Sequence, residues 1–398
     1  MHSLDLVVLA GGKGSRIKSL LRNRPKPMAI FNKKPFLEYI IQNYSKYHFK
    51  NIFILTGYKS DIIYKKFNNK YYNFNHIKCL KQLRPMGTAG ALSVLKKKNV
   101  NDFILINGDT FLDINLNQLI KSCSKNSYGS ITLVKNDFYK SNKKLSTLAL
   151  RENKIIYQDK SNLMNGGIYF FKKKIFKLIK NKNTSLENDI LPNLIKNKKI
   201  SGIKTKNFFL DIGTPENFKK AKKIISKKFI KRAAFLDRDG VINFDKGYVH
   251  KIKDFKFRPN VIKGLKFLRN NDYYIFVVTN QAGIGKGIYT EKQFFNLQNY
   301  IKQKLQKKDI FFDDINFCPY HPEAKIKKYR KISQLRKPGN LMIKQIRNKW
   351  SIKLNKSFMI GDQVTDKICA KNSKLYFEYS KKDFLSQVKQ INKKFNNY

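Results

Sequence analysis

Leu6-Val7-Val8-Leu9-Ala10-Gly11-Gly12-Lys13-Gly14-Ser15-Arg16 begins as a short apolar run and ends in a glycine-rich turn carrying two cations. A run with no polar alternation reads as a strand buried on both faces, the habit of parallel sheets. In the turn, the bare backbone N–H groups of Gly11, Gly12 and Gly14 could wrap a phosphate, with Lys13 and Arg16 adding charge. There is no third glycine for a dinucleotide fingerprint and no Gly-Lys-Ser/Thr ending at P-loop spacing. A tight strand-to-helix turn would use the same glycines, so the decision rests on what surrounds it.

Working outward, apolar runs recur at 52–56, 103–107 and 208–212 and alternate with polar helical stretches, the pattern of an α/β domain. A lysine-rich helical segment at 215–228 follows, and then the pattern restarts. Strands are predicted at 233–236, 274–279 and 357–360, with a helix at 291–307 among the segments between them. The chain therefore reads as two α/β domains, residues 1–228 and 231–398. Its 398 residues suffice for two cores, and 41% hydrophobic with 13% aromatic content excludes a disordered chain.

Eighty-three Lys+Arg against 27 Asp+Glu give a formal charge of +56, which raises nucleic-acid or membrane-surface binding. The lysines, however, run evenly along the chain beside abundant Asn, Ile, Phe and Tyr, as compositional drift would leave them. No zinc finger, basic zipper or stacked-aromatic RNA signature accompanies them. The expectation is a solvated basic surface with no specific nucleic acid and no membrane partner. Cys79, Cys123, Cys318 and Cys369 are far apart, which fits a reducing compartment rather than a disulfide framework. With no basic leader and no stretch near the ~18 apolar residues of a membrane span, a cytoplasmic protein is expected. The sequence sets no oligomeric state.

In the first domain Lys26 stands between Pro25 and Pro27, a cation held by rigid neighbours as suits a triphosphate. Gly87-Thr88-Ala89-Gly90-Ala91 is a small-residue loop against which a flat base could lie; helix packing is its bland reading. Asp109 closes an apolar strand in Asn107-Gly108-Asp109, and Asp211 follows another. Ligands of open sheets gather at that edge, and carboxylates there suit Mg²⁺, although an acidic strand end also serves as a helix cap.

In the second domain a strand ends in Asp237-Arg238-Asp239-Gly240. One carboxylate can attack phosphorus while the other protonates the leaving oxygen. Two aspartates in a turn are more often only a turn. Three further strand-end or loop groups change that reading: Thr279 with Asn280, Arg336 with Lys337, and Asp362 with Asp366. Hydroxyl, amide and cations can bind phosphate oxygens, and the carboxylates can complete an Mg²⁺ site with Asp237.

Seven blocks carry a resemblance: LAGGKGSR at 9–16, PKPM at 25–28, GTAGAL at 87–92, NGDTF at 107–111, NGGIY at 165–169, SLENDILP at 185–192 and DIGTPENF at 211–218. Residues 4 to about 225 resemble the sugar-phosphate nucleotidyltransferases, within them the heptose 1-phosphate guanylyltransferases and next the mannose 1-phosphate enzymes. That resemblance implies a glycosyltransferase-A-like, Rossmann-like mixed sheet. It implies Arg16 and Lys26 on the phosphates, Asp109 and Asp211 on Mg²⁺, and Gly11, Gly12, Gly14, Gly87 and Thr88 at the nucleotide, with GTP the nucleotide expected. Asn165, Gly166 and Glu187 then stand near the sugar, Glu187 accepting from two hydroxyls. Leu83-Arg84-Pro85 departs from relatives that carry an acidic residue before the proline.

Residues 231 to about 375 resemble the haloacid dehalogenase phosphatases, within them the heptose 1,7-bisphosphate 7-phosphatases and histidinol phosphatases, through FLDRDGVIN at 235–243, TNQAGIGKG at 279–287, CPYHP at 318–322, RKP at 336–338 and GDQVTD at 361–366. The resemblance implies a Rossmannoid parallel sheet. It makes Asp237 the nucleophile and Asp239 acid then base, puts phosphate on Thr279, Asn280, Arg336 and Lys337, and Mg²⁺ on Asp237, Asp362 and the Asp239 carbonyl. Relatives commonly hold a loop zinc with three cysteines and a histidine; here Cys318 remains, but Tyr320, Ser333 and Leu335 fill the other positions. One thiolate cannot hold a tetrahedral zinc, so none is expected, and packing of Phe317 and Tyr329 is expected to order the loop. A bifunctional enzyme acting on a phosphorylated heptose follows. The competing readings are a mannose 1-phosphate enzyme joined to another phosphatase, and a polyanion-binding scaffold.

Overall fold

The computed structural model describes residues 4–82, 84–135, 146–180 and 182–397, leaving aside the side chains at 146, 147 and 160. It divides into two compact units, Met1–Ser226 and Lys227–Tyr398. Both are α/β.

The first unit is built on a ten-stranded sheet. Within it Asp5–Ala10 lies between the parallel strands Ile52–Thr56 and Phe103–Asn107. Leu163–Phe171 runs antiparallel to Phe103–Asn107, and with Gly129–Lys135 beyond it makes the sheet mixed. The predicted strands 6–10, 52–56 and 103–107 are continuous apolar runs of this parallel part; Asn75–Lys81, also parallel, alternates in burial and gives no such run. The run read at 208–212 is not part of this sheet. Phe209–Asp211 instead pairs antiparallel with Thr110–Leu112, and this small ribbon sets Asp211 opposite Thr110. A core of Val7, Phe103, Leu105, Tyr169 and Phe171, packed with helical Leu92 and Leu95, fixes the strand ends that carry the site.

The second unit has five strands, all parallel, in the spatial order Asp314–Cys318, Tyr274–Asn280, Ala233–Leu236, Phe358–Gly361, Tyr376–Tyr379. Parallel strands put every carboxyl end on one edge, so the residues after strands Ala233–Leu236, Tyr274–Asn280 and Phe358–Gly361 meet there. The helix Glu291–Gln306 starts at Thr290, whose hydroxyl and the Gln293 side chain form a reciprocal cap. Among the described residues no helix is long and apolar enough to cross a membrane.

Candidate functional site

The first site forms where the glycine-rich turn, the Pro25–Pro27 segment and the short antiparallel ribbon meet. The buried Lys26 ammonium lies 2.5 Å from Asp109 Oδ2 and 3.8 Å from Asp211 Oδ1. The ribbon explains the convergence: Ile212 N donates to Asp109 O at 3.2 Å, so two carboxylates about a hundred residues apart share one cation. A cavity of about 630 Å³ opens beside them, lined by Gly11, Gly12, Lys13, Lys26, Gly87, Thr88, Asn107 and Asp109 among others. That volume is in the range of small-molecule sites. Tyr58, Lys81, Gln82 and Arg84 also line it, none of which the motifs had singled out except Arg84; Leu83 lies outside the described residues. Gly14 and Arg16 do not line the cavity. Gly14 holds a left-handed conformation (φ 67°) that starts a short 3₁₀ turn, and Arg16 on that turn is exposed.

Thr88 lines the cavity and also meets the segment that carries Glu187. Its hydroxyl donates to Glu187 Oε2 at 2.6 Å and accepts from Leu186 N at 2.7 Å. Glu187 also receives Ser185 Oγ at 3.3 Å on Oε2 and Tyr169 OH at 3.3 Å on Oε1. Tyr169 OH in turn accepts Asn165 Nδ2 at 2.8 Å, so the expected sugar residues Asn165 and Glu187 are joined through a wholly buried tyrosine. Burial, reinforced by the Glu187 carboxylate, pushes the Tyr169 phenol well up, so it stays a neutral donor. Gly166 lies on the same strand, packed on the Thr132 hydroxyl. Three donors already reach Glu187, leaving about one of the roughly four lone-pair directions of a carboxylate open.

In the second site Lys337 bridges two carboxylates: its ammonium is 2.8 Å from Asp237 Oδ2 and 2.6 Å from Asp366 Oδ1, and donates to Val278 O at 3.1 Å. Burial pushes the Asp237 carboxyl up to about 7, against the pull of Lys337 and with the help of Asp366 and Asp239. Burial alone would lower Lys337, but its two carboxylate partners outweigh it and keep it protonated. Asp237, Asp362 and Asp366 can each present an oxygen within 4.8 Å of the others. Gly240, at φ +74°, makes this approach possible, since a Cβ there would sit 2.4 Å from Asp362 Oδ2.

Hard oxygen donors around a raised carboxyl fit a divalent cation. Asp366 is the least free of the three: it is fully buried, and its Oδ2 accepts from the backbone of Asp362 and Gln363 at 3.1 Å each. Asp237 is also engaged, its Oδ1 accepting from Arg238 N at 2.7 Å and its Oδ2 pairing with Lys337, while Asp362 is only half-buried. In the first unit Asp109 and Asp211, already gathered on one cation, offer the same donor chemistry.

Arg238 was missed from sequence, where alternation sets it away from its flanking aspartates. It is 1% exposed, and its guanidinium folds back to grip Asp239 through Nε and Nη2 at 2.7–3.2 Å. Asn243 Nδ2 at 2.9 Å and Gln281 Nε2 at 3.1 Å complete the hold on Asp239. Thr279 lies buried with its hydroxyl accepting from Gln281 Nε2 at 2.9 Å. Asn280 is occupied with the Lys337 backbone, donating to its carbonyl at 3.1 Å and accepting from its N–H at 3.0 Å. Its amide thus fixes the loop that presents Lys337 and Arg336.

The loop after Cys318 is closed by Tyr329, whose hydroxyl donates to Glu291 at 2.8 Å, with Lys331 over the Tyr320 ring at 4.0 Å. The Phe317 ring packs 4.4 Å from that of Phe294. Buried Cys318 and partly buried Tyr320 and Leu335 join the core with Met342 and Ile343, so apolar packing fills three of the four loop positions 318, 320, 333 and 335. His321 Nδ1 accepts from Glu323 N at 3.1 Å within its own turn.

Each unit thus carries a carboxylate–lysine centre, one beside a cavity and one buried. Residues 6–228 match the family model described as nucleotidyl transferase, and residues 233–395 the model described as polynucleotide kinase 3 phosphatase. Over 143 residues the chain is 41% identical to the D-glycero-beta-D-manno-heptose-1,7-bisphosphate 7-phosphatase of Photorhabdus laumondii, covering 36% of this chain and 76% of that one. It is 42% identical over 135 residues to the D-glycero-alpha-D-manno-heptose-1,7-bisphosphate 7-phosphatase of the same organism, covering 34% and 74%. Among solved structures, HddC from Yersinia pseudotuberculosis complexed with GMP-PN is 29% identical, covering 56% of this chain and 99% of that one with a TM-score of 0.48. The chain belongs to the nucleotidyl transferase family in its first unit and to the heptose-bisphosphate 7-phosphatase family in its second, and is an enzyme with both activities.

Proposed function

We propose that the second unit removes the 7-phosphate of D-glycero-D-manno-heptose 1,7-bisphosphate and that the first joins the resulting 1-phosphate to a nucleotide, GTP being the expected donor. The observation that carries this reading is the covalent pairing of a nucleotidyl transferase with a phosphatase whose relatives act on a sugar 1,7-bisphosphate. The product of the second unit is then an acceptor for the first, and linkage raises its local concentration.

In the phosphatase, Asp237 attacks the 7-phosphorus and forms an aspartyl-phosphate while Asp239 passes a proton to the leaving sugar oxygen. Arg238, Asn243 and Gln281 hold Asp239 in place for that transfer and for taking a proton back from the hydrolytic water. Lys337, Thr279 and Arg336 bind the phosphoryl oxygens, and Asn280 steadies the Lys337 loop. In the transferase the sugar phosphate oxygen attacks the α-phosphorus and pyrophosphate leaves, with Lys26 neutralising the phosphates and Gly11 and Gly12, which line the cavity, cradling the nucleotide. Magnesium, held by Asp237, Asp362 and the Asp239 carbonyl in one unit and by Asp109 and Asp211 in the other, would neutralise the phosphate charge. The basic surface draws these anionic substrates inward.

The test supplies purified protein with Mg²⁺, each anomer of the heptose bisphosphate and each nucleoside triphosphate in turn, and reads products by mass spectrometry. A nucleoside diphosphate heptose is expected. Phosphate release without any nucleotide sugar across all nucleotides would refute the coupling.

A further inference from the structure

We infer that Thr88 and Tyr169 are positioning residues for the sugar side of the transfer site, holding the Glu187 carboxylate and the Asn165 amide at the acceptor, and that Thr88 reads the sugar rather than the nucleotide. The inference rests on the transferase reading above.

Proton accounting ties the Thr88 hydroxyl to Glu187, although Thr88 also lines the cavity. A hydroxyl has one proton, and that of Thr88 lies on Glu187 Oε2 at 2.6 Å, while Leu186 N at 2.7 Å takes one of its acceptor directions. It has no donor left for a phosphate oxygen. The contact is built into the backbone on both sides. Ala89 N and Gly90 N both donate to Thr184 O, at 2.9 and 3.1 Å, and Thr184 N donates to Met86 O at 2.9 Å. At Gly87, φ +69°, a Cβ would lie 2.4 Å from Thr184 O, so only glycine lets the two segments close. The cavity-lining loop is thereby clamped to the segment that carries Glu187.

Tyr169 completes the arrangement from the sheet. Its hydroxyl donates to Glu187 Oε1 and accepts Asn165 Nδ2, while Asn165 Oδ1 accepts Gly167 N at 2.9 Å. Thr88, Ser185 and Tyr169 thus fix both carboxylate oxygens and leave one acceptor direction open. Such a carboxylate selects an acceptor by a single hydroxyl, and its aim depends on the donors behind it.

The experiment compares Thr88→Val, Thr88→Ser and Tyr169→Phe with the wild type in pyrophosphate release, using D-glycero-D-manno-heptose 1-phosphate as acceptor. Thr88→Val keeps the shape and removes the hydroxyl. It should raise KM for the sugar phosphate about tenfold while KM for the nucleotide moves less than about twofold, as expected for loss of a charge-assisted hydrogen bond on that side alone. Thr88→Ser should restore the wild-type value, and Tyr169→Phe should shift the sugar KM in the same direction. A rise confined to the nucleotide KM, or no rise for either Thr88→Val or Tyr169→Phe, would overturn the inference. If the wild type releases no pyrophosphate with any acceptor, the transferase reading itself fails, a distinct outcome. Phosphate release by the same preparations confirms that the second unit is intact, and should Thr88→Val not fold, Thr88→Ala is read for the same two KM values with the same expected outcome.

Discussion

Lys337 holds Asp237 at 2.8 Å and Asp366 at 2.6 Å, one buried ammonium between two buried carboxylates. Removing it leaves two acids facing each other without a counter-charge, the costly way to break a buried pair. Lys337→Met should abolish phosphate release and destabilise the second unit by about 3–5 kcal/mol. Trp350, the single tryptophan, lies in that unit's core and reports its urea midpoint by fluorescence. An unchanged midpoint would contradict the bridging role.

Lys26 makes the matching prediction for the first unit. Lys26→Met should lower pyrophosphate release by at least about a hundredfold while phosphate release stays within twofold, because Asp109 and Asp211 then repel the triphosphate with no fixed cation between them. Equal loss of both activities would contradict the assignment of one chemistry to each unit.

The fold was legible where burial is two-sided. Asp5–Ala10, Ile52–Thr56, Phe103–Asn107 and Ala233–Leu236 announce themselves as unbroken apolar runs followed by glycine or aspartate. Gly129–Lys135 and Leu163–Phe171 carry serine, threonine or asparagine among apolar residues, and their place next to one another is a long-range pairing that local pattern does not encode. The same holds for the sites. Asp109, Asp211, Asp237 and Asp362 stand at strand ends and could be picked out, whereas Tyr169 looks like one more core aromatic and Arg238 like a spacer. Their roles depend on where a side chain turns at its tip.

Lys302 offers a test that depends on pH. Burial, only partly offset by Asp314, lowers its ammonium to about 7, against 10.5 when exposed. The unfolded chain therefore binds the extra proton between those values, so the stability tied to this group is complete above about 10.5 and lost as pH falls through about 7. Lys302→Met should raise the stability of the second unit at pH 7 by at least about 1 kcal/mol and by less at pH 9.5, read from Trp350 urea midpoints. A variant less stable than wild type at pH 7, or an advantage that does not shrink on raising pH, would contradict this.

The loop after Cys318 should stand without zinc. Metal analysis of purified protein is expected to find zinc far below one per chain. Tyr329→Phe, which removes the 2.8 Å bond to Glu291, should cost about 1 kcal/mol and loosen substrate KM. Stoichiometric zinc in the purified protein would contradict the apolar packing account.

Asp237→Asn tests the central claim most directly, because it removes the nucleophile and leaves the shape of the site. Both activities are read from one preparation, phosphate release from heptose 1,7-bisphosphate and pyrophosphate release from nucleotide with heptose 1-phosphate. Phosphate release should vanish while pyrophosphate release is retained; loss of both, or of neither, would contradict two separate phosphorus chemistries on one chain.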